Sequence, residues 1–382
     1  MLEPQTIFAP HNGWVLAEKV FDGRKLHHHA ALRFENGRVA AITDSKFALY
    51  GVASIKGIIS PGFVDLQVNG GGGVLFNTSP DVNCLKAIAA AHRRGGTSRL
   101  LPTVITDTPD VLERACNAVL SAHGHDGIVG IHIEGPHINV KRRGTHHAAS
   151  IRPYDEITDR QITRLLDAGV PVMLTLAPEC QPKGTVAKLV EKGVIVALGH
   201  SAATYNETMV AISEGAQTFT HLMNAMPPIE SRNPGIVGAA LNSQTYCSVI
   251  FDGVHIVPEM LRIILNARRL TGRVIAVTDA MPTLFGPDCF TLYDGVEVQL
   301  QDGCLINPEG GLAGAHVTML QSLAMLAGPV GVTLEESLKS VITHPCDLMG
   351  FSPALIGLSN DCCLHISDDL DHCQFMSADL RF

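Results

Sequence analysis

The sequence predicts an α/β protein: a (β/α)8 TIM-type barrel with a small β domain formed from the N- and C-terminal segments. Three observations predict it. Eight short apolar runs rich in Val, Ile and Leu recur over about 220 residues. Helix-like stretches lie between them, the pattern of a parallel sheet covered on both faces. Most of the runs close on a polar or charged residue, at the end of the strand where a barrel builds its active site. A doubly wound open sheet is the alternative. Eight units, and the lack of a GxGxxG after the first strand, favour the barrel.

The runs fall at residues 62–67, 98–103, 128–134, 172–176, 194–200, 218–221, 247–252 and 274–279. Helical patterns occupy 81–95, 110–123, 158–169, 185–193, 204–215 and 258–271. Several begin at a Thr or Asp suited to an N-cap and stop at a Gly. Thr158 with Gln161 reads as a capping box. The N-terminal segment differs, with short strand candidates at 14–16, 31–34 and 39–42 and a hairpin signal at Asn36-Gly37. The tail offers 363–366 and a weaker run at 373–376. We expect a β domain of residues 1–58 plus 354–382, and a barrel of residues 59–353.

Composition bounds the function. Apolar residues make up 46% of the 382 and charged residues 17%, which excludes a disordered or fibrous chain. A net charge of −9 without a long basic run argues against a nucleic-acid partner. No stretch approaches the ~18 apolar residues of a membrane span. Met1 to Pro10 does not read as a signal peptide, so no membrane partner is expected. The ten cysteines form no CxxC and read as reduced thiols of a cytoplasmic protein. Eighteen histidines against one Trp and five Tyr is the oddest count, since histidine is the usual transition-metal ligand and proton shuttle.

The run ends hold the informative residues. Gln67 and Asn69 close the first run, Glu134 the third, His200 the fifth, His221 the sixth and Asp279 the eighth. A barrel brings these distant positions to one face. Two imidazoles and carboxylates there suit a single Zn²⁺ or Fe²⁺ with a position left for water. Singly, each has a plainer reading: a surface Glu, a hydrogen-bonded His, an Asp capping the next helix. Those readings would have to hold independently at four positions that one architecture gathers.

The segments PGFVD (61–65), HIEGP (132–136), KRRGTHH (141–147), LAPE (176–179), GHSAAT (199–204), THLMNAM (220–226), NPGIVGAAL (233–241), DGVHI (252–256), VTDAM (277–281) and LAG (312–314) resemble the amidohydrolase superfamily. Within it, they are most similar to the N-acetylglucosamine-6-phosphate deacetylases. The resemblance implies metal ligation by Glu134, His200 and His221, and an acid/base role for Asp279. It implies substrate contacts at His146, Asn224, Ala225, Arg232, His255, Leu312, Ala313 and Gly314, with His146 also donating to the oxyanion. Many superfamily members carry His-x-His at the end of the first strand. Here that pair is Gln67-Val68-Asn69, and neutral amides are poor ligands for these ions, so one divalent metal ion per subunit is expected.

The reaction implied is hydrolysis of the N-acetyl group of N-acetylglucosamine 6-phosphate by metal-activated water, with Asp279 as base and then acid. The same reaction on the galactosamine epimer is the alternative. A different amidohydrolase, or a non-catalytic sugar-phosphate sensor, ranks lower. Arg232 suits a phosphate through its planar fork. It lies on a loop that could serve its own subunit or a neighbour's, in a homodimer or homotetramer.

Overall fold

The computed structural model describes residues 8–44, 54–268 and 273–378. Eight parallel strands form one sheet in sequence order. They are β1 (Phe63–Val68), β2 (Thr97–Ile105), β3 (Ile131–Glu134), β4 (Val172–Leu176), β5 (Ile195–Leu198), β6 (Thr218–Phe219), β7 (Tyr246–Ile250) and β8 (Val274–Val277). The sheet closes on itself. Val68 at the end of β1 bridges Ala280 just past β8 in parallel, and the Asp279 amide donates to the Gln67 carbonyl at 3.0 Å. That closure makes a barrel and removes the open-sheet alternative.

Alternation along the strands sorts two layers. Ile133, Leu174, Val196 and Val249 belong to the apolar cluster shared with the helices, while Leu101, Met173, Ala197 and Ile275 form a separate cluster inside the barrel. His132 also lies inside, buried and bonded to Thr175 Oγ1 at 2.7 Å; Thr175 in turn bonds Thr220 at 2.6 Å. A polar layer therefore underlies the barrel mouth.

Helix starts follow their caps. The helix Val82–Arg94 is capped by Asp81, whose side chain accepts from the Cys84 amide. The helix expected from residue 158 starts earlier, at Glu156, because the Asp155 carboxylate accepts from the Thr158 amide and takes the cap. Thr158 is buried inside that helix and forms no capping box. Capping boxes do form at Thr204 with Glu207 and at Thr318 with Gln321. The last expected helix runs Pro258–Ala267, and its anticipated end at 271 lies outside the described residues, as do residues 1–7.

Both chain ends build one six-stranded sheet, ordered Cys373–Phe375, Cys363–Ile366, Ser54–Pro61, Gly13–Phe21, Leu26–Glu35 and Arg38–Asp44. Asn36 and Gly37 turn the last hairpin with φ of 51° and 68°, the left-handed pair such a turn requires. Ser54–Pro61 was not among the expected strands. Nor was a three-stranded antiparallel sheet (Cys289–Thr291, Glu297–Gln301, Cys304–Ile306) inserted after β8. Its Leu292, Val298 and Leu305 pack on Met281 and Ala313 beside the mouth. Among the described residues no helix is long and apolar enough to cross a membrane.

Candidate active site

Three chain corners place the key side chains. β5, β6 and β8 each stop two residues short of His200, His221 and Asp279, and these three residues adopt φ of 47°, 28° and 52°. Left-handed backbone is unusual for such residues and clusters where surrounding structure holds it for a purpose. Glu134 is the last residue of β3 itself. Gly135 follows with φ +80°, and a Cβ there would stand 2.2 Å from Thr106 Oγ1, so only glycine fits the turn.

The side chains converge. Glu134 Oε1 lies 3.2 Å from His200 Nε2 and 3.0 Å from His221 Nε2, and the two Nε2 atoms are 3.0 Å apart. All three residues are buried. Ligands at 2.0–2.1 Å in a tetrahedral zinc site stand about 3.3 Å from one another, so this trio fits a small divalent cation. His200 Nδ1 is 2.8 Å from the Arg142 carbonyl. A carbonyl only accepts, so the proton sits on Nδ1 and the Nε2 lone pair is free to ligate.

Asp279 stands beside the trio. Its Oδ1 accepts from Asn69 Nδ2 at 2.6 Å and from Gln67 Nε2 at 3.0 Å, and Gln67 Nε2 also donates to Glu134 Oε1 at 3.0 Å. The two carboxyls are driven apart. Burial works against ionised Glu134, but the His200 and His221 imidazoles against its Oε1 hold it well below the ordinary carboxylate range. Burial, joined by the Glu134 charge, pushes Asp279 up to about 6. Such a split separates a permanent anion from a proton carrier.

His146 packs on His200 with ring centroids 4.3 Å apart. Its Nδ1 bonds Thr106 Oγ1 at 2.7 Å and faces the Thr106 amide at 3.4 Å. That makes Nδ1 the acceptor and leaves the proton on Nε2. Burial, then the neighbouring His200, lowers its pKa to about 3, so the ring is a neutral donor.

These groups line one open cleft of about 160 Å³ with Asn69, Asn224, Ala225, His255, Leu312 and Gly314. His255 is oriented by Asp252, whose Oδ2 sits 2.6 Å from its Nδ1. Gly314 has φ +75°, and a Cβ there would meet the Met281 side chain at 2.5 Å. Two expected contacts lie elsewhere. Ala313 is fully buried in the apolar cluster beneath the cleft. Arg232 is exposed and does not line the cleft of its own chain. The reason is local: the Glu230 and Asn233 amides and carbonyls pair reciprocally at 3.2 Å, which puts Ser231 and Arg232 at the tip of a tight turn.

The sequence reading missed several supporting residues. Glu179 accepts from Asn139 Nδ2 (2.9 Å), Ser201 Oγ (2.8 Å) and the Ala202 amide (2.6 Å), tying the loops after β3, β4 and β5 together behind His200. Its signal was the LAPE segment, as DGVHI was for Asp252. Thr106, which follows β2, stood in no motif.

A model of the amidohydrolase family matches residues 58–354. The chain belongs to the amidohydrolase family. It is a hydrolase of the kind that acts on amides. An N-acetylgalactosamine-6-phosphate deacetylase of Shewanella sp. (strain ANA-3) is 36% identical over 342 residues, covering 87% of this chain and 85% of that protein. An N-acetylglucosamine-6-phosphate deacetylase of Haemophilus influenzae is 33% identical over 306 residues, covering 78% of each chain. Among solved structures, a Mycobacterium smegmatis N-acetyl-D-glucosamine-6-phosphate deacetylase variant, in complex with N-acetyl-D-glucosamine-6-phosphate, superposes with a TM-score of 0.84. It is 29% identical and covers 95% of this chain and 96% of its own.

Proposed function

We propose that this amidohydrolase removes the N-acetyl group of N-acetylglucosamine 6-phosphate, giving glucosamine 6-phosphate and acetate. The observation that carries the reading is the cleft itself. One wall holds a ligand trio joined to a raised carboxyl, and another holds His255 with the Asn224-Ala225 corner. The deacetylase relatives supply the substrate class.

Glu134, His200 and His221 would hold one Zn²⁺ or Fe²⁺, which supplies Lewis acidity and brings the pKa of water towards 7. Asp279 takes a proton from the water whose oxygen bonds to the acetyl carbon, and passes it to the nitrogen as the C–N bond breaks. His146, a neutral donor, meets the negative charge that develops on the carbonyl oxygen. His255 and the Asn224-Ala225 main chain face the anionic end of the sugar. Gln67 and Asn69 support a single ion, since their amide nitrogens already point at the two carboxylates.

Arg232 completes phosphate binding from a neighbouring subunit. Its exposed tip supports that reading, as do the exposed Ile229, Val257 and Ile263 (46%, 53% and 55%), which lie on and after the neighbouring β6 and β7 loops. We therefore infer a homodimer or homotetramer. All ten cysteines are free, which supports a reducing compartment, the cytoplasm.

Acetate release from N-acetylglucosamine 6-phosphate, after chelation and stepwise metal return, tests the reading. Recovery should plateau at one equivalent; a need for two overturns the single-ion site, and no release at all overturns the activity. The 36% identity to a galactosamine-type relative favours one second reading, the same reaction on that epimer. Comparing kcat/KM on the two sugars decides between them.

A further inference from the structure

The Gln67-Asn69 pair does more than leave a second metal position unbuilt. Both amides put their nitrogen on Asp279 Oδ1, at 2.6 Å from Asn69 and 3.0 Å from Gln67. The amide orientation is not arbitrary. Glu134 and ionised Asp279 offer only acceptors, so the NH₂ groups must face them and the amide oxygens must turn away. Both turned oxygens, Gln67 Oε1 and Asn69 Oδ1, are buried without a partner. That desolvation cost is tolerated in favour of the contacts to the carboxylates.

The main chain is fixed at the same point. Asn69 Nδ2 also reaches the Asp279 carbonyl at 3.3 Å, and the Asn69 amide donates to Ala280 at 3.1 Å. These bonds stitch β1 to the corner that gives Asp279 its left-handed φ of 52°. A carboxylate oxygen that accepts two N–H bonds has committed its in-plane lone pairs. No hydrogen bond among the described residues uses Oδ2.

We propose that Asn69 and Gln67 are positioning residues that choose which oxygen of Asp279 moves the proton, holding Oδ1 still and leaving Oδ2 to take and return it. Gln67 adds a spacing function. Its single NH₂ spans Glu134 Oε1 and Asp279 Oδ1, both at 3.0 Å, and so sets the distance between the ligand carboxylate and the base. Two neutral amides thereby give the carboxylates the anchorage that a cation could otherwise supply. The inference rests on the deacetylase reading and deepens it.

The test uses Asn69→Leu and Gln67→Met, which keep volume and remove the donor, as full-length metal-loaded protein beside wild type. Each should lower kcat about 100-fold, the lower end of what acid–base catalysis contributes. KM should stay within about threefold, the pattern of a group that acts only in the transition state. Elemental analysis should still find one ion per chain, and melting should stay cooperative. An N-trifluoroacetyl substrate, whose carbonyl needs less help from a base, should shrink the deficit at least about fivefold; a merely structural role would not discriminate between acyl groups. An unchanged kcat overturns the inference, as does a variant that loses its metal or its cooperative fold, or a deficit equal on both substrates. An inactive wild type overturns the deacetylase reading and this inference with it, whereas an active wild type with any of those variant outcomes overturns the inference alone.

Discussion

Glu134, His200, His221 and Asp279 are buried, and each is held by named neighbours. Arg232, on the loop after β6, is exposed and has no hydrogen-bond or ion-pair partner among the described residues. The first group is preorganised by the barrel: strained corners, a carbonyl behind His200, and amides against Asp279 fix the geometry before substrate arrives. The loop has no such support. The groups proposed to do the chemistry are thus gathered by one chain, while Arg232 stands apart from that chain's own cleft. A rigid site costs stability. Left-handed non-glycine corners cost on the order of 1–3 kcal/mol each, and that cost falls on the corners that carry His200, His221 and Asp279.

The sharpest way to break the comparison is at the trio. Glu134→Ala leaves two Nε2 atoms facing each other without the anion they share. It should lose the metal and at least about 1,000-fold in activity, as metal-site disruption removes both Lewis acid and water activation; metal analysis beside an acetate assay checks both. Asp279→Asn should keep the ion yet lose about 1,000-fold in kcat, within the range for a missing acid/base. An active variant would remove Asp279 from the chemistry.

The loop should answer differently. Arg232→Ala should raise KM about 10- to 100-fold, the worth of one charge-assisted bond of roughly 1.5–3 kcal/mol, with kcat changed far less. Mixing Arg232→Ala subunits with Asp279→Asn subunits should restore part of the activity, because a mixed dimer then contains one intact composite cleft. No recovery on mixing places Arg232 in its own subunit's cleft and erases the contrast.

The smallest effects are read by pH. Asp279 must be ionised to accept a proton, and its carboxyl sits at about 6. A divalent cation held beside it lowers that value, so kcat/KM of the metal-loaded enzyme should fall about tenfold per unit below a midpoint under 6; an acid limb centred above 6 would remove the assignment. Stability carries the opposite sign. A carboxyl raised from 3.8 to about 6 costs the folded state nothing below pH 3.8 and its full penalty above 6. Metal-free Asp279→Asn should therefore melt higher than metal-free wild type at pH 7 and alike at pH 3.5, as calorimetry would show.

Much of the fold was legible because a parallel barrel repeats one signal. The strand at 172–176 is read without error, and the others shift by one to three residues. The errors at β5, β6 and β8 share a cause. The apolar runs continue to His200, His221 and Asp279, but these residues leave the sheet into left-handed corners. Periodicity records burial and does not record that turn. The strands Cys289–Thr291, Glu297–Gln301 and Cys304–Ile306 escaped because they are short and largely polar, with one buried residue in five along Glu297–Gln301. At the site, residues that ligate or titrate stood out by type. Glu179 and Asp252 did not, because their role lies in the donors they gather: Glu179 draws them from other loops, and Asp252 from Val254 and His255 of its own turn.

The six-stranded sheet has a consequence for synthesis. Strand Ser54–Pro61 leads straight into the barrel, and its partner Cys363–Ile366 comes about 300 residues later. At 5–20 residues per second, translation leaves that edge unpaired for roughly 15–60 s. An open edge invites pairing with another chain. The segment carries its own deterrents in Lys56 and Gly57, a charge and a poor strand former, at the end of the strand that the nascent barrel does not cover. Cys363–Ile366 closes the edge from which the barrel begins, so synthesis of that late strand ends the edge's exposure to aggregation.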